Sequence, residues 1–182
     1  MRRVLDKARV EALLAALGQR AQGPGRVYLT GGTSAVLVGW RASTIDADLK
    51  LDPEPPGVFA AIRTLKDELS VNVELASPDD FIPELPGWRD RSRFIARHGA
   101  VDFFHYDFCA QALAKLERGH DRDLDDVRAM IVHGLLVVGD LLVHLGHIEP
   151  ALERFPAIDA AVFRRKVEDF VELAVADEAR DG

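Results

Sequence analysis

Apolar residues recur at helical spacing from the start of the chain. Val4, Leu5, Ala8, Ala12, Leu13, Ala16 and Leu17 fall on one face of a helix predicted over Arg3–Arg20, and Gln22-Gly-Pro-Gly ends it. Arg26–Thr30 reads as a short buried strand that runs into Gly31-Gly32, with a short helix from Ser34 to Gly39. The period then changes to two. Ile45-Asp-Ala-Asp-Leu-Lys-Leu alternates apolar and polar, which predicts a half-buried strand with its carboxylates on one face. Pro53, Pro55 and Pro56 close that strand, and Pro56 suits the first turn of a helix over 58–69. Val71–Ala76 alternates again. After a turn-rich stretch come two more strand-like runs, Arg91–Arg97 and Val101–Tyr106, joined at His98-Gly99.

From Asp107 onward nothing alternates with period two. Ala110, Leu113, Ala114 and Leu116, then Leu124, Val127, Ile131, Leu135, Val138 and Leu142, recur at helical spacing. Gly119 is placed to end one helix, Pro150 and Pro156 to bound another, and Ile158–Ala176 makes a final amphipathic one. The expected fold class is α+β with α/β-like strand–helix alternation. A small mixed sheet flanked by helices fills residues 1–106, and a helical C-terminal part, residues 107–182, packs on it to give a single compact unit. The apolar stripe through Val138, Leu141, Leu142 and Leu145 reads as core.

Composition narrows the function classes. An apolar fraction of 48% and a charged fraction of 29% over 182 residues describe an ordinary globular chain able to build a core. A net charge of −7 excludes the broadly basic surface of a non-specific nucleic-acid binder, so any RNA contact must be local. The single cysteine, Cys109, makes no internal disulfide and reads as an inert buried thiol. Asp6, Lys7, Arg9 and Glu11 stand where a signal peptide would be continuously apolar, and the expectation is a cytoplasmic protein. The most apolar stretch, Ile131–Leu145, is interrupted by polar residues and falls short of the roughly 20 residues of a membrane span, so no membrane association is expected.

The candidate chemistry lies between Leu29 and Leu75. Gly31 and Gly32 let a ligand approach the backbone, and the N–H groups of Gly32, Thr33 and Ser34 at a helix start form a nest suited to phosphate oxygens. The same turn also serves as ordinary punctuation between a strand and a helix. Asp46 and Asp48, two apart on a strand, project from one face with Cα atoms roughly 6.5–7 Å apart, close enough to share divalent cations. Glu74 sits on a second strand, with Val73 and Leu75 facing the other way, and completes a three-carboxylate set. Such a set can hold two metal ions about 3.5–4 Å apart that activate a hydroxyl and stabilise a triphosphate leaving group. A solvated sheet face is the alternative reading of these acids.

Taken together, Gly-Gly-Thr-Ser-Ala at Gly31–Ala35 followed by Arg41-x-x-Thr44-x-Asp46-x-Asp48 resembles the polymerase-beta-type nucleotidyltransferase superfamily. Its pattern is a glycine turn, an acid-x-acid strand and a later third acid. Gly31, Gly32, Asp46 and Asp48 match that pattern, and Glu74 takes the third position where the superfamily more often has Asp. Within that superfamily the sequence resembles more closely the small bacterial nucleotidyltransferases that occur as toxin or antitoxin components, whose first motif is R-x-T-x-D-[IVA]-D. Their second motif, K-x-x-x-x-x-x-R-D-x-x-D, is satisfied by Lys115, Arg122, Asp123 and Asp126, while Arg41 stands one residue further from Thr44 than in the first.

The resemblance covers Val27–Ala129. It implies Mg²⁺ or Mn²⁺ at Asp46, Asp48 and Glu74, with a nucleoside triphosphate as substrate. Gly31, Gly32, Thr33, Ser34, Arg41 and Thr44 would lie around its phosphates; Lys115 and Arg122 would contact them, with Asp126 orienting one of the two. The partners it implies are an RNA or protein acceptor, or a toxin–antitoxin partner for a member that has lost transfer. Read locally, Lys115 is a helix-surface lysine, and Asp123 and Asp126 are helix-start acids.

Arg89, Arg91, Arg93 and Arg97 stand against a single acid, Asp90. On a strand, Arg91, Arg93 and Arg97 share a face, giving a basic patch fit for a triphosphate or an RNA end, or else a solvated sheet face. His144 and His147 have i,i+3 spacing without a cysteine or acid to complete a zinc site.

Overall fold

The computed structural model describes residues 3–181. The chain divides into two compact units, Met1–Ser77 with Ser92–Tyr106, and Pro78–Arg91 with Asp107–Gly182. Pro78–Arg91 therefore groups with the C-terminal helices, although it lies between two strands in sequence.

The first unit opens with α1 (Lys7–Arg20), shorter than the helix its periodicity predicts from Arg3. Asp6 stops it, because the Asp6 carboxylate accepts the Arg9 backbone N–H at 2.9 Å and caps the helix there. Leu5, counted in sequence as helical, instead forms a bridge with Thr44 through two backbone hydrogen bonds of 2.7 and 2.9 Å. Then follow β1 (Gly25–Leu29), α2 (Gly31–Val38), β2 (Asp46–Leu51), α3 (Val58–Glu68), β3 (Asn72–Leu75), and, after the excursion into the second unit, β4 (Arg93–His98) and β5 (Val101–His105).

The five strands form one mixed sheet in the order β3-β2-β1-β5-β4. β1 runs parallel to β5 and antiparallel to β2, β2 is parallel to β3, and β4 is antiparallel to β5. Period-two alternation sorts the side chains. Val27, Leu29, Ala47, Leu49, Val73, Val101 and Phe103 face one way and bury against Val10, Leu13, Leu14 and Leu17 of α1 and Val58, Ala61, Ile62 and Leu65 of α3. Asp46, Asp48 and Lys50, with Asn72 and Glu74 beside them on β3 and Tyr28 on β1, alternate to the other face.

Two sequence expectations fail around the arginines. Arg91 lies in a short helix, α4 (Trp88–Arg91), and β4 begins only at Arg93. Within β4 the register slips between Phe94 and Ala96, so Arg93 pairs with His105 and shares its face, whereas Arg97 pairs with Asp102 on the opposite face. The three arginines therefore have no common face. Arg97 makes a bidentate pair with Asp102, its Nε donating at 2.5 Å and Nη2 at 2.8 Å, while Arg91 donates to the Asp107 carboxylate at 3.0 and 2.8 Å. Arg89 lies over the Trp88 ring, 4.3 Å from its centroid. The basic patch expected from the sequence dissolves into separate local partnerships.

In the second unit, α5 (Phe108–Arg118) is capped by Asp107, whose carboxylate accepts the Cys109 N–H at 3.0 Å, and ends at Gly119 in the left-handed conformation. α6 (Asp121–Val132), α7 (Asp140–Ile148) and α8 (Ala160–Asp181) complete it. The span between Pro150 and Pro156 holds a 3₁₀ segment, Glu149–Arg154, in place of a separate α-helix. Leu113, Leu116, Val127, Met130, Leu141, Leu145, Phe163 and Val167 are buried at 1% exposure or less, with Trp88 from the inserted segment. Val138 is buried with them as the stripe predicted, and Leu142 is half-buried. No helix among the described residues is long and apolar enough to cross a membrane.

Candidate functional site

β1 ends at Leu29, and Thr30 takes the N-cap position of α2, which starts directly at Gly31, while its hydroxyl donates to the Ala76 carbonyl at 3.2 Å. Gly31 has φ +54°, a conformation that favours glycine. A Cβ there would also meet Asp48 Oδ2 at 3.0 Å, so the Asp48 carboxylate lies against the turn. Gly32 is packed still more tightly: a Cβ at this position would run into Thr44, 2.9 Å from its Cβ, and would lie 3.4 Å from Arg41 Nη1. The loop carrying Arg41 and Thr44 thus folds back over the start of α2, with a guanidinium beside the positive end of the helix. Thr44 Oγ1 donates to the Asp46 carbonyl at 3.2 Å, which fixes the loop to β2.

Thr33 and Ser34 do something other than present themselves to a ligand. Thr33 is fully buried; its hydroxyl accepts the Asp48 backbone N–H at 3.1 Å and donates to the Asp46 carbonyl at 3.4 Å. Ser34, also buried, donates to the Leu29 carbonyl at 3.0 Å and meets His105 Nδ1 at 2.9 Å. The backbone N–H groups of both residues return to the Thr30 carbonyl, at 3.2 and 3.4 Å. Of the expected nest, Thr33 and Ser34 are therefore spent on holding the turn to the sheet.

The carboxylates are brought together as the alternation implies. The parallel register sets Asp46 beside Asn72 and Asp48 beside Glu74, on one face of adjoining strands. Asp46 and Asp48 are half-buried, and Glu74 is exposed on the edge strand. Asn72, which sequence reasoning passed over, binds two of them at once. Its Nδ2 donates to Asp46 Oδ1 at 2.6 Å and to Glu74 Oε1 at 2.9 Å. The available signal was its position two residues before Glu74, which puts both on the same face. Three carboxylates offer the hard oxygen donors that Mg²⁺ or Mn²⁺ takes, so the donor chemistry fits such an ion. As they stand, with the Asn72 amide between Asp46 and Glu74, no three His, Cys, Asp or Glu side chains among the described residues are arranged to hold a metal.

Lys115, Arg122 and Asp126 belong to the second unit. Lys115 is 6% exposed; its Nζ donates to Asp126 Oδ2 at 2.6 Å and lies 3.6 Å from Asp123 Oδ1. Arg118 completes the cluster, donating to Asp123 at 2.7 and 3.2 Å. Burial works to raise the Asp123 carboxyl, but the hydrogen bond and charge of Arg118, with Lys115, outweigh it and hold the carboxyl below the usual range. Arg122 is exposed on α6. The helix-surface reading of Lys115 does not hold, because the lysine is enclosed by its acids. Cys109 is buried, and burial reinforced by the Asp107 charge pushes its thiol up to about 12, which leaves it unreactive.

His105 is the second residue that sequence reasoning missed. It stands at an inward position of β5, alternating with Val101 and Phe103, and that polar residue in an apolar phase was the signal. Burial, assisted by the Arg93 charge, brings its imidazole down to about 4. No protein-family model, no curated protein and no solved structure matches this chain.

Proposed function

We propose that this chain is a metal-dependent nucleotidyltransferase with the polymerase-beta-type fold, moving a nucleoside monophosphate from a triphosphate to a hydroxyl of an RNA, protein or small-molecule acceptor. The observation that carries this reading is the meeting of turn and acids. The Asp48 carboxylate abuts Gly31 and shares a sheet face with Asp46 and Glu74, while the Arg41 guanidinium lies beside Gly32. A triphosphate laid against Gly31 and Gly32 would have its negative charge met by Arg41 and the start of α2.

Asp46 and Asp48 would hold Mg²⁺ or Mn²⁺, which would supply positive charge to stabilise the triphosphate in transfer. Glu74 accepts the proton of the acceptor hydroxyl as its oxygen bonds to the α-phosphorus; the bond from that phosphorus to the bridging oxygen breaks, and pyrophosphate leaves. Lys115 is occupied by Asp126 within the helical unit, where Arg122 is exposed on α6.

A second reading has one observation in its favour. The Asn72 amide already bridges Asp46 and Glu74 by hydrogen bonds, which suits a nucleotidyltransferase-fold module that works by docking to a partner, such as a toxin–antitoxin component. Incubation with Mg²⁺ and each α-labelled ribonucleoside triphosphate, with total RNA and lysate as acceptors, separates the two. Transfer of label by the wild type and not by Asp46→Ala/Asp48→Ala is the expected result. Absence of transfer, with no metal-dependent triphosphate binding in a thermal-shift titration, would give the module reading the stronger claim.

A further inference from the structure

On the helix-covered side of the sheet, away from Asp46, the first unit contains a cavity of about 430 Å³. That volume lies within the range of small-molecule sites. α1 contributes Lys7 and Glu11, α2 contributes Leu37, β4 contributes Ile95 and His98, and β5 contributes His105.

The charges at this cavity are unusual in being left open. Lys7 and Glu11 are exposed and one helical turn apart on α1, and the side chain of neither has a hydrogen-bond or ion-pair partner among the described residues. Leu37 and Ile95 supply an aliphatic wall. His105 brings no charge. Burial holds its imidazole neutral near pH 7, and its Nδ1 meets Ser34 Oγ at 2.9 Å.

We propose that this cavity binds a zwitterionic α-amino acid with an apolar side chain. Its carboxylate meets Lys7, its ammonium meets Glu11, and its side chain lies against Leu37 and Ile95. The pairing of charges selects against simpler ligands. A fatty carboxylate would satisfy Lys7 but face Glu11 with like charge, and an alkyl amine would do the reverse. Glycine would satisfy both charges and leave the aliphatic wall uncovered. This site is independent of the transferase reading and stands or falls without it.

Calorimetric titration of the full chain tests the proposal, using L-leucine, L-phenylalanine, 4-methylpentanoate, isopentylamine and glycine as probes. L-leucine or L-phenylalanine should give saturable binding, with each single-charge analogue and glycine weaker by about tenfold or more. Lys7→Ala and Glu11→Ala, both exposed positions whose fold is checked by circular dichroism, should each weaken binding by about tenfold. No saturable binding of either amino acid up to about 10 mM, equal binding of leucine and 4-methylpentanoate, or unchanged affinity in both variants would overturn it.

Discussion

Removing the ammonium of Lys115 while keeping its stem, as in Lys115→Met, should destabilise the helical unit whatever it does to phosphate binding. The Lys115 side chain is 7% exposed and that of Asp126 4%, and their 2.6 Å contact is the shortest in a cluster that also holds Asp123 and Arg118. Methionine fills nearly the same volume, so packing changes little. What changes is that the Asp126 carboxylate loses the Lys115 ammonium, its 2.6 Å ion-pair partner, at a buried position. Breaking a buried ion pair from one side costs about 3–5 kcal/mol, against a total stability of about 5–15 kcal/mol for a domain. Lys115→Met/Asp126→Leu removes both charges and should recover most of that loss, because two apolar side chains suit the same space.

Urea denaturation reads the effect with a local probe. Trp88 belongs to the helical unit and is buried, whereas Trp40 belongs to the sheet unit, so fluorescence in a Trp40→Phe background reports on the unit that holds Lys115. The single variant should lower the urea midpoint at unchanged slope, and the double variant should restore it. A cost below about 1 kcal/mol for Lys115→Met would refute the reasoning, because it would mean the pair is no stronger than a surface one. If that variant also kept its stability while losing triphosphate affinity, Lys115 would be a phosphate ligand after all.

Three further outcomes follow from the sheet unit. Gly32→Ala forces a Cβ into Thr44 and should destabilise the unit by about 1–3 kcal/mol, measured by Trp40 fluorescence; a neutral effect would mean the loop yields easily. Asn72→Asp removes the donor shared by Asp46 and Glu74 and adds a carboxylate, so it should tighten Mn²⁺ binding about tenfold by calorimetry while lowering the metal-free Tm. No change in either quantity would show that the amide does not hold these acids together. His105 has a folded pKa of about 4 against 6.5 when unfolded, so its contribution is present above pH 6.5 and is lost as pH falls from 6.5 toward 4. The urea midpoint should therefore fall by the equivalent of about 2 kcal/mol between pH 7 and pH 5, and His105→Gln should flatten that slope; an equal slope in the variant would place the effect elsewhere.

The longer elements of this fold were legible because each has a period, and their faces were legible for the same reason, whereas the four-residue α4 and the 3₁₀ segment at Glu149–Arg154 are too short to show one. Alternation through Ile45–Leu51 and Val71–Ala76 puts Asp46, Asp48 and Glu74 on one side of the sheet, and the structure keeps them there. What alternation does not encode is the partner. Arg91, Arg93 and Arg97 look like one basic patch until a register slip at Ile95 turns Arg97 to the other face and Asp107 takes Arg91. Lys115 reads as a surface residue because a lone lysine on a helix usually is one; only the acids one helix later, at Asp123 and Asp126, enclose it. Leu5 fits the helical stripe, yet Asp6 caps the helix behind it.

The same distinction explains why Thr33 and Ser34 read as phosphate ligands. Small hydroxyl residues at the start of a helix suit an anion, but here neighbouring positions on α2 point to different strands. Thr33 grips the backbone of β2 on both sides of Ala47, at Asp46 and Asp48, while Ser34 grips the end of β1 and the His105 ring on β5. The Gly31-Gly32 turn is thereby tied to three strands, one of which carries Asp46 and Asp48. A ligand reaching the turn meets backbone already set relative to those carboxylates, and none of its binding energy is spent on ordering the two parts. The two hydroxyls thus act on the candidate site through the rigidity they give it, which is a role that neither composition nor spacing distinguishes from direct contact.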